Sequence, residues 1–226
     1  RLFSDLPQEL KGNVPTVAYY DKYFGKGRWK SSTVVSLSIG QGELGITPLQ
    51  MANTMCIIAN KGYFYIPHIL KKINESQYPE KRFAEKNHTD IDPKYYDIVI
   101  EGMESVVESG TAAGSKIKGI TICGKTGTAQ NPHGRDHSLF VGFAPRENPK
   151  IAIGIMVENG GWGSDWGAPI ASLMIEKYLS DSISRPQIEK RMLEGVIQPK
   201  IYMEKKEAEQ KKDSTKIKAK TVIATT

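Results

Sequence analysis

Ile120-Thr121-Ile122-Cys123-Gly124-Lys125-Thr126-Gly127-Thr128-Ala129 is the stretch on which the fold turns. Alternating β-branched residues run into one cation, two hydroxyls and a glycine. The pattern predicts a strand that delivers Lys125, Thr126 and Thr128 to one place. A second motif lies on the same residues, because Gly119-Ile120-Thr121-Ile122-Cys123-Gly124-Lys125-Thr126 matches the P-loop pattern G-x-x-x-x-G-K-[ST]. A P-loop needs a strand before the first glycine, a flexible loop between the glycines, and a helix starting at the Lys-Thr pair. Here the inter-glycine residues are β-formers, and Gly127, Asn131, Pro132 and Gly134 follow closely on Lys125. No helix can easily start there. Nucleotide binding through this motif would require ATP affinity that is lost in Lys125→Ala, and none is expected.

Outward from this strand, residues 130–136 read as a loop and residues 138–144 and 151–158 as two further strands. Pro145-Arg146-Glu147-Asn148-Pro149 forms a short turn between them. Three neighbouring strands with short connections imply antiparallel pairing. Residues 160–167 hold four glycines with Trp162 and Trp166, a loop anchored by aromatic packing. A helix follows, with Pro169 near its first turn and Ile170, Leu173, Met174 and Tyr178 facing inward.

On the upstream side, residues 111–118 are a small-residue connection. Before it, Asp92-Pro93 opens a helix with an apolar stripe of Tyr96, Val99, Met103, Val106 and Val107, stopped by Gly110. Residues 74–90 read as an irregular surface loop, and residues 63–73 as a strand interrupted by Pro67. A well-signalled helix begins at Thr47, which caps it, with Pro48 at the first helical position and Gln50 completing a capping box. Leu49, Ala52, Met55, Cys56 and Ala59 form its buried face, and Asn60-Lys61-Gly62 ends it. Residues 33–39 are β-branched and Ser-rich and lead into the glycine loop Gly40-Gln41-Gly42-Glu43-Leu44-Gly45. Residues 1–27 look like a lead-in rather than an element.

The 226 residues, 39% hydrophobic, suffice for one domain with a sizeable core and a tail. The domain is expected over residues 1–183, and residues 184–226 are expected to be a charged, disordered tail with at most a short helix near residues 187–194. The net charge of +6 resides mostly in that tail. Residues 185–226 hold eleven Lys/Arg and six Asp/Glu, a balance of +5 that leaves +1 for the rest. A nearly neutral body argues against nucleic acid as a partner. Cys56 and Cys123 both sit among apolar residues and read as free buried thiols. No apolar run approaches membrane-spanning length and no signal-peptide pattern is present. The chain begins with Arg1 rather than Met, as a piece of a longer protein would.

Five blocks in order carry a resemblance. They are Ser38-Ile39-Gly40-Gln41-Gly42, Thr47-Pro48-Leu49-Gln50-Met51-Ala52, Lys125-Thr126-Gly127-Thr128-Ala129-Gln130, Phe143-Ala144-Pro145 and Glu158-Asn159-Gly160-Gly161. Over about residues 1–180 the chain resembles the class B penicillin-binding proteins, most of all the penicillin-binding protein 2 type, the peptidoglycan D,D-transpeptidase of cell elongation. The resemblance implies an α+β fold, an antiparallel sheet flanked by helices, of which this chain holds the C-terminal part. It further implies a serine acyl-enzyme formed on stem peptides ending in D-Ala-D-Ala, and acylation by β-lactam antibiotics. Lys125 would set the positive field of the site, Thr126 and Thr128 would bind the substrate carboxylate, and Gly127 would let another backbone lie close. The Thr128 N–H would be an oxyanion donor, a contact worth roughly 3 kcal/mol of transition-state stabilisation in other enzymes. No cofactor and no metal are implied. Implied partners are a membrane glycosyltransferase and other elongation proteins, with the catalytic domain on the periplasmic side of the inner membrane and an anchor upstream.

The chain departs from the family pattern in one respect. The family's Ser-x-x-Lys nucleophile motif and its Ser-x-Asn motif precede Lys-Thr-Gly by a long stretch, and no Ser-x-Asn occurs here. Ser115-Lys116-Ile117-Lys118 has the Ser-x-x-Lys spacing but lies in the small-residue connection, where Ser115 is expected to face water. The nucleophile is therefore expected upstream of Arg1, and this segment alone is expected to be inactive and poorly soluble. His133 and His137 lie four apart in a loop whose Pro132 and Gly134 disfavour a helix, so a metal site is not expected. Asp136 and His137 could orient that loop instead, while Glu43 and Glu158 read as solvated or capping groups. A non-catalytic partner-binding module of the same fold and a β-lactam sensor or hydrolase stay open as alternatives.

Overall fold

The computed structural model describes residues 1–73, 76–77 and 80–197. In chain order the elements are α1 (Val17–Phe24), α2 (Ser31–Ser38), α3 (Pro48–Ala59), β1 (Tyr63–Phe64), β2 (Lys72–Ile73), β3 (Ser76–Gln77), α4 (Lys81–Ala84), β4 (Asn87–His88) and α5 (Lys94–Glu108). They continue with β5 (Cys123–Ala129), β6 (His137–Ala144), β7 (Ile151–Val157), α6 (Gly167–Ser180) and α7 (Pro186–Glu194).

The decisive stretch forms β5, and β5, β6 and β7 make an antiparallel sheet in that order, as the alternation and short connections predict. No helix starts at Lys125, so the P-loop reading fails on geometry. The register Thr126↔Phe140 and Lys125↔Val141 sorts the side chains onto two faces. On one face Phe140, Ala144 and Ile153 meet Ala168, Ala171 and Ile175 of α6. On the other, Cys123 and Phe143 meet Met55 of α3 and Tyr96, Ile100 and Met103 of α5. Helices on both faces of an antiparallel sheet give the expected α+β architecture.

The start of α3 forms as its sequence dictates. Thr47 accepts from the Gln50 N–H while the Gln50 side chain accepts from the Thr47 N–H, with Pro48 at the first helical position. Of its expected inner face, Met55 is buried and Leu49, Ala52, Cys56 and Ala59 are half-buried; Asn53, outside that expected face, is buried too. On α5 the buried residues are Tyr96, Ile100, Met103 and Val107, whereas Val99 faces solvent. The stripe is shifted by one residue because three- and four-residue steps from Tyr96 reach Val99 and Ile100 about equally well, and packing selects Ile100.

The inward face of α6 differs more. Ala168, Ala171, Ser172, Leu173 and Ile175 are buried, while Met174 and Tyr178 are 51% and 65% exposed. Small residues let α6 lie close on the sheet, and the bulkier ones turn towards α7, where with Ile170, Met192 and Leu193 they line a shallow apolar groove. Trp166, half-buried, packs against Gly195, but Trp162 is exposed rather than an anchor of its loop.

Three stretches are more ordered than their composition suggests. Residues 17–24, inside the expected lead-in, form α1, capped by Thr16 and held by Tyr20, which is buried beside Trp29 and donates to Glu43 Oε2 at 3.0 Å. Residues 31–38 form α2, and the interrupted strand over residues 63–73 survives only as the short pairs β1–β4 and β2–β3. Inside the expected surface loop, α4 buries Phe83 under the Arg82 guanidinium, 4.2 Å from the ring centroid. The boundary expected at residue 183 falls beside a tie. Glu176 on α6 binds Ser184 and Arg185, which hold α7 in place. Residues 198–226 of the expected tail lie outside the described residues.

Candidate functional site at the open edge of the sheet

One edge of β5 is hydrogen-bonded to β6, and the other faces away from the sheet. In an antiparallel ladder the N–H and C=O of one residue point to the same side, alternating along the strand. Three contacts show which residues point outward. Lys125 Nζ donates to Thr126 O at 2.8 Å, Gln41 Nε2 donates to Thr128 O at 2.9 Å, and the Gln130 N–H donates to Gln41 Oε1 at 3.1 Å. Residues 126, 128 and 130 thus present their backbone groups to the open edge, and the Thr128 N–H points the same way as its carbonyl.

The register corrects the expectation that the three side chains share one place. Lys125 lies on the face of Val141, and Thr126 and Thr128 on the face of Phe140 and Ser138, because strand side chains alternate. What Lys125, Thr126 and Thr128 share is the edge. Lys125 is exposed there, and the Thr126 hydroxyl is 2.7 Å from the Thr111 hydroxyl. Thr111 was not singled out in the sequence; its position in a small-residue connection gives no signal, since the partner is fifteen residues away.

The loop after β7 packs across the ladder between β5 and β6. The Ser138 hydroxyl donates to Trp162 O at 2.8 Å and accepts from the Gly167 N–H at 3.0 Å, which ties β6 to the start of α6. The close backbone approach expected at Gly127 is made from the opposite side by Gly163. A Cβ on Gly163 would lie 2.3 Å from Leu139 O and 2.7 Å from Gly127 O. Gly163→Ala is therefore expected to destabilise the protein by roughly 1–3 kcal/mol, as overpacking does, and to displace the β5 backbone. A melting temperature within a degree of wild type would refute this.

The neighbouring polar residues have structural partners. Asp136 accepts the Asn131 N–H at 3.1 Å, and its carbonyl accepts the Gly161 N–H. His137 Nδ1 accepts from the Asn159 N–H at 3.0 Å. Asp136 and His137 thus orient the loops at the end of the strand, as their position suggests. Among the described residues no group of three His, Cys, Asp or Glu side chains is arranged to hold a metal ion. Glu43 accepts from Tyr20 and is not merely solvated, while Glu158 is exposed.

Ser115, expected to face water, is 3% exposed. It sits in a 3-10 turn, Ala113–Ser115, under Arg185, which donates to its carbonyl. A serine so covered cannot meet an acyl donor, which strengthens its rejection as nucleophile. Cys123 is no nucleophile either. Burial, with the Glu104 charge adding to it, pushes its thiol pKa up to about 12. Burial raises the Cys56 thiol as well. Both cysteines are free, and neither is expected to react with a thiol reagent at pH 8 before the protein unfolds. Titration of one thiol in the native protein would contradict this.

Comparison with known proteins accords with this geometry. The chain matches the family described as Penicillin binding protein transpeptidase domain over residues 1–176. It is 32% identical over 207 residues to the peptidoglycan D,D-transpeptidase MrdA of Haemophilus influenzae, covering 82% of this chain and 31% of that protein. Its structure resembles Pseudomonas aeruginosa PBP2 in complex with WCK 5153, with TM-score 0.65 and 37% identity over 74% of this chain and 37% of that one. It also resembles the PBP2 of Helicobacter pylori in its complex with MreC, with TM-score 0.63 and 31% identity over 80% and 33% of the two chains. The chain spans about a third of the length of these relatives.

Proposed function

Because the chain belongs to the penicillin-binding protein transpeptidase family, we propose that it forms the substrate-binding edge of a peptidoglycan D,D-transpeptidase of the penicillin-binding protein 2 type. The observation that carries this reading is the open edge of β5, along which a cation, two threonines and an outward backbone N–H are arranged. An extended stem peptide can add to such an edge by main-chain hydrogen bonds. Its terminal carboxylate would meet the Lys125 charge and the Thr126 and Thr128 hydroxyls.

The chemistry is acyl transfer. A serine elsewhere in the protein, within the two thirds of the relatives' length that this chain does not span, would attack the carbonyl of the penultimate D-Ala. The oxyanion of the tetrahedral intermediate would accept the Thr128 N–H. Collapse releases the terminal D-Ala, whose amine carries away a proton, and leaves an ester on the serine. An amine of a neighbouring stem peptide then attacks the ester, forms the cross-link and frees the serine. A β-lactam would enter the same path, but its leaving group stays tethered and the ester persists.

In this reading the domain works on the periplasmic face of the inner membrane, held by an anchor elsewhere in the protein. No helix among the described residues is long and apolar enough to cross a membrane. An MreC-type protein, as in the Helicobacter pylori complex, and a membrane glycosyltransferase are the partners this reading proposes.

Intact-mass spectrometry after incubation with a penicillin tests the proposal, run on this 226-residue chain and on the full-length protein. One covalent adduct is expected on the full-length protein and none on the short chain. Absence of an adduct on both would favour a partner-binding module over an enzyme. An adduct on the short chain would mean that a nucleophile lies within it.

A further inference from the structure

The block Ser38-Ile39-Gly40-Gln41-Gly42 has no role in the chemistry so far, yet it reaches the site. Gln41 spans to β5 with both ends of its carboxamide. Its nitrogen donates to Thr128 O at 2.9 Å and its oxygen accepts the Gln130 N–H at 3.1 Å. These are the two bonds that one residue of a neighbouring parallel strand would make, to the carbonyl of one residue and the N–H two residues on. A single side chain therefore substitutes for a strand at the end of an edge that otherwise lacks one.

The reach of Gln41 is fixed by its backbone. At the end of α2 the Gly40 N–H donates to Leu37 O and the Gln41 N–H to Ser36 O, both at 3.0 Å, with Gly40 at φ +76°. This is the Schellman arrangement, which needs a left-handed residue where Gly40 stands. On the far side, Asn13 pairs with Gly45 through backbone bonds and donates its side-chain amide to Glu43 O. The loop is thus tied at both ends, and Gln41 is half-buried between them.

We infer that Gln41 is a positioning residue for acyl transfer, whose carboxamide holds the outer edge of β5 so that the Thr128 N–H stays aimed at the developing oxyanion. The inference rests on the transpeptidase reading above. Beyond Ala129 the chain leaves the sheet for the loop at residues 130–136, so the end of β5 is where an edge strand would fray. Fixing Thr128 O and the Gln130 N–H fixes the peptide planes that follow Thr128. Rotation at Thr128, which would swing its N–H out of line, is then blocked. The pairing demands one donor and one acceptor at the end of a side chain of this length, which only glutamine provides.

The test is rapid-mixing acylation of the full-length protein by benzylpenicillin, resolved into the initial dissociation constant and the acylation rate constant. Gln41→Met keeps the length and loses both bonds. It is expected to lower the rate constant roughly ten- to hundredfold, as misplacement of a reacting group does, with the dissociation constant changed less than about threefold. Gln41→Asn, which keeps the amide but falls short by one methylene, is expected to lie between Met and wild type. Gln41→Glu sets a carboxylate oxygen against Thr128 O beside the carboxylate-binding hydroxyls, so it should slow acylation further and weaken initial binding too. An acylated wild type with an unaffected Gln41→Met would overturn the inference alone. So would a loss that follows the unfolded fraction in a parallel thermal melt, which would make the role merely structural. A wild type that takes no penicillin would remove the transpeptidase reading, and this inference with it.

Discussion

In the full-length protein, Lys125→Ala is expected to slow acylation by a penicillin roughly ten- to hundredfold while leaving the melting temperature within about two degrees of wild type. The side chain is exposed and its ammonium donates to the carbonyl of the next residue, so little folding stability depends on it. Its proposed role is electrostatic. A hydrogen bond from an ammonium to a carboxylate is worth about 1.5–3 kcal/mol, and each 1.4 kcal/mol is a factor of ten. Lys125→Arg keeps the charge but replaces a compact ammonium with a planar fork, and should recover only part of the rate. Salt gives an independent check. Raising ionic strength screens an exposed charge, so the wild-type rate should fall with salt and the Lys125→Ala rate should fall less. A Lys125→Ala rate equal to wild type would leave the carboxylate without its cation and sink the assignment.

That Lys125 lies on a strand was legible in the sequence, but how it stands relative to Thr126 was not. Strand alternation, read strictly, already separates neighbouring residues onto opposite faces, and the expectation that all three side chains converge overlooked it. The sheet itself was legible because β-branched runs and short turns are local signals. So was α3, whose cap, proline and glutamine lie within four residues. Among the elements that escaped, α1 and α4 are short and are held by contacts distant in sequence, such as Tyr20 with Glu43 and Arg82 with the carbonyl of Phe3. Gln41 is the extreme case. It meets residues 87 and 89 positions away, and nothing in a Gly-Gln-Gly loop indicates which edge the glutamine will find. The role of Gly163 was likewise given to Gly127, because a close approach requires only that one of two facing residues lack a side chain, and the sequence does not say which.

Arg185 was counted with the tail because of its charge, and the largest stability effect in the molecule is expected there. Glu176 is 3% exposed, on the face of α6 that meets the core. Arg185 Nε donates to Glu176 Oε2 at 2.9 Å, and Nη1 donates to Lys116 O at 3.0 Å and to the Ser172 hydroxyl at 3.1 Å. Nη2 also lies 2.9 Å from Glu176 Oε2, a close ion pair without hydrogen-bond alignment. The N–H and hydroxyl of Ser184 supply Oε1. Arg185→Ala would leave the carboxylate buried without its cation, a change that costs about 3–5 kcal/mol and should lower the melting temperature by roughly 10 °C. Replacing both partners with apolar residues, Arg185→Met with Glu176→Leu, should recover most of the loss, since the pair repays its own desolvation only in part.

The same pair sets an acid limit. Burial acts to raise the Glu176 carboxyl, but the Ser184 hydroxyl, the Ser184 N–H and Arg185 outweigh it and hold its pKa below the ordinary 4.5. A depressed folded-state value means that the stabilisation is fully present above pH 4.5 and is lost as pH falls below it, through the folded-state value. Wild type should therefore lose stability as pH falls below 4.5, and the Met/Leu double variant should lose less over that range. Thermal melts of the three proteins across that window decide the matter. An Arg185→Ala protein within about 1 kcal/mol of wild type at neutral pH, or a double variant with an unchanged acid limit, would show that α7 is not held to the domain by this pair.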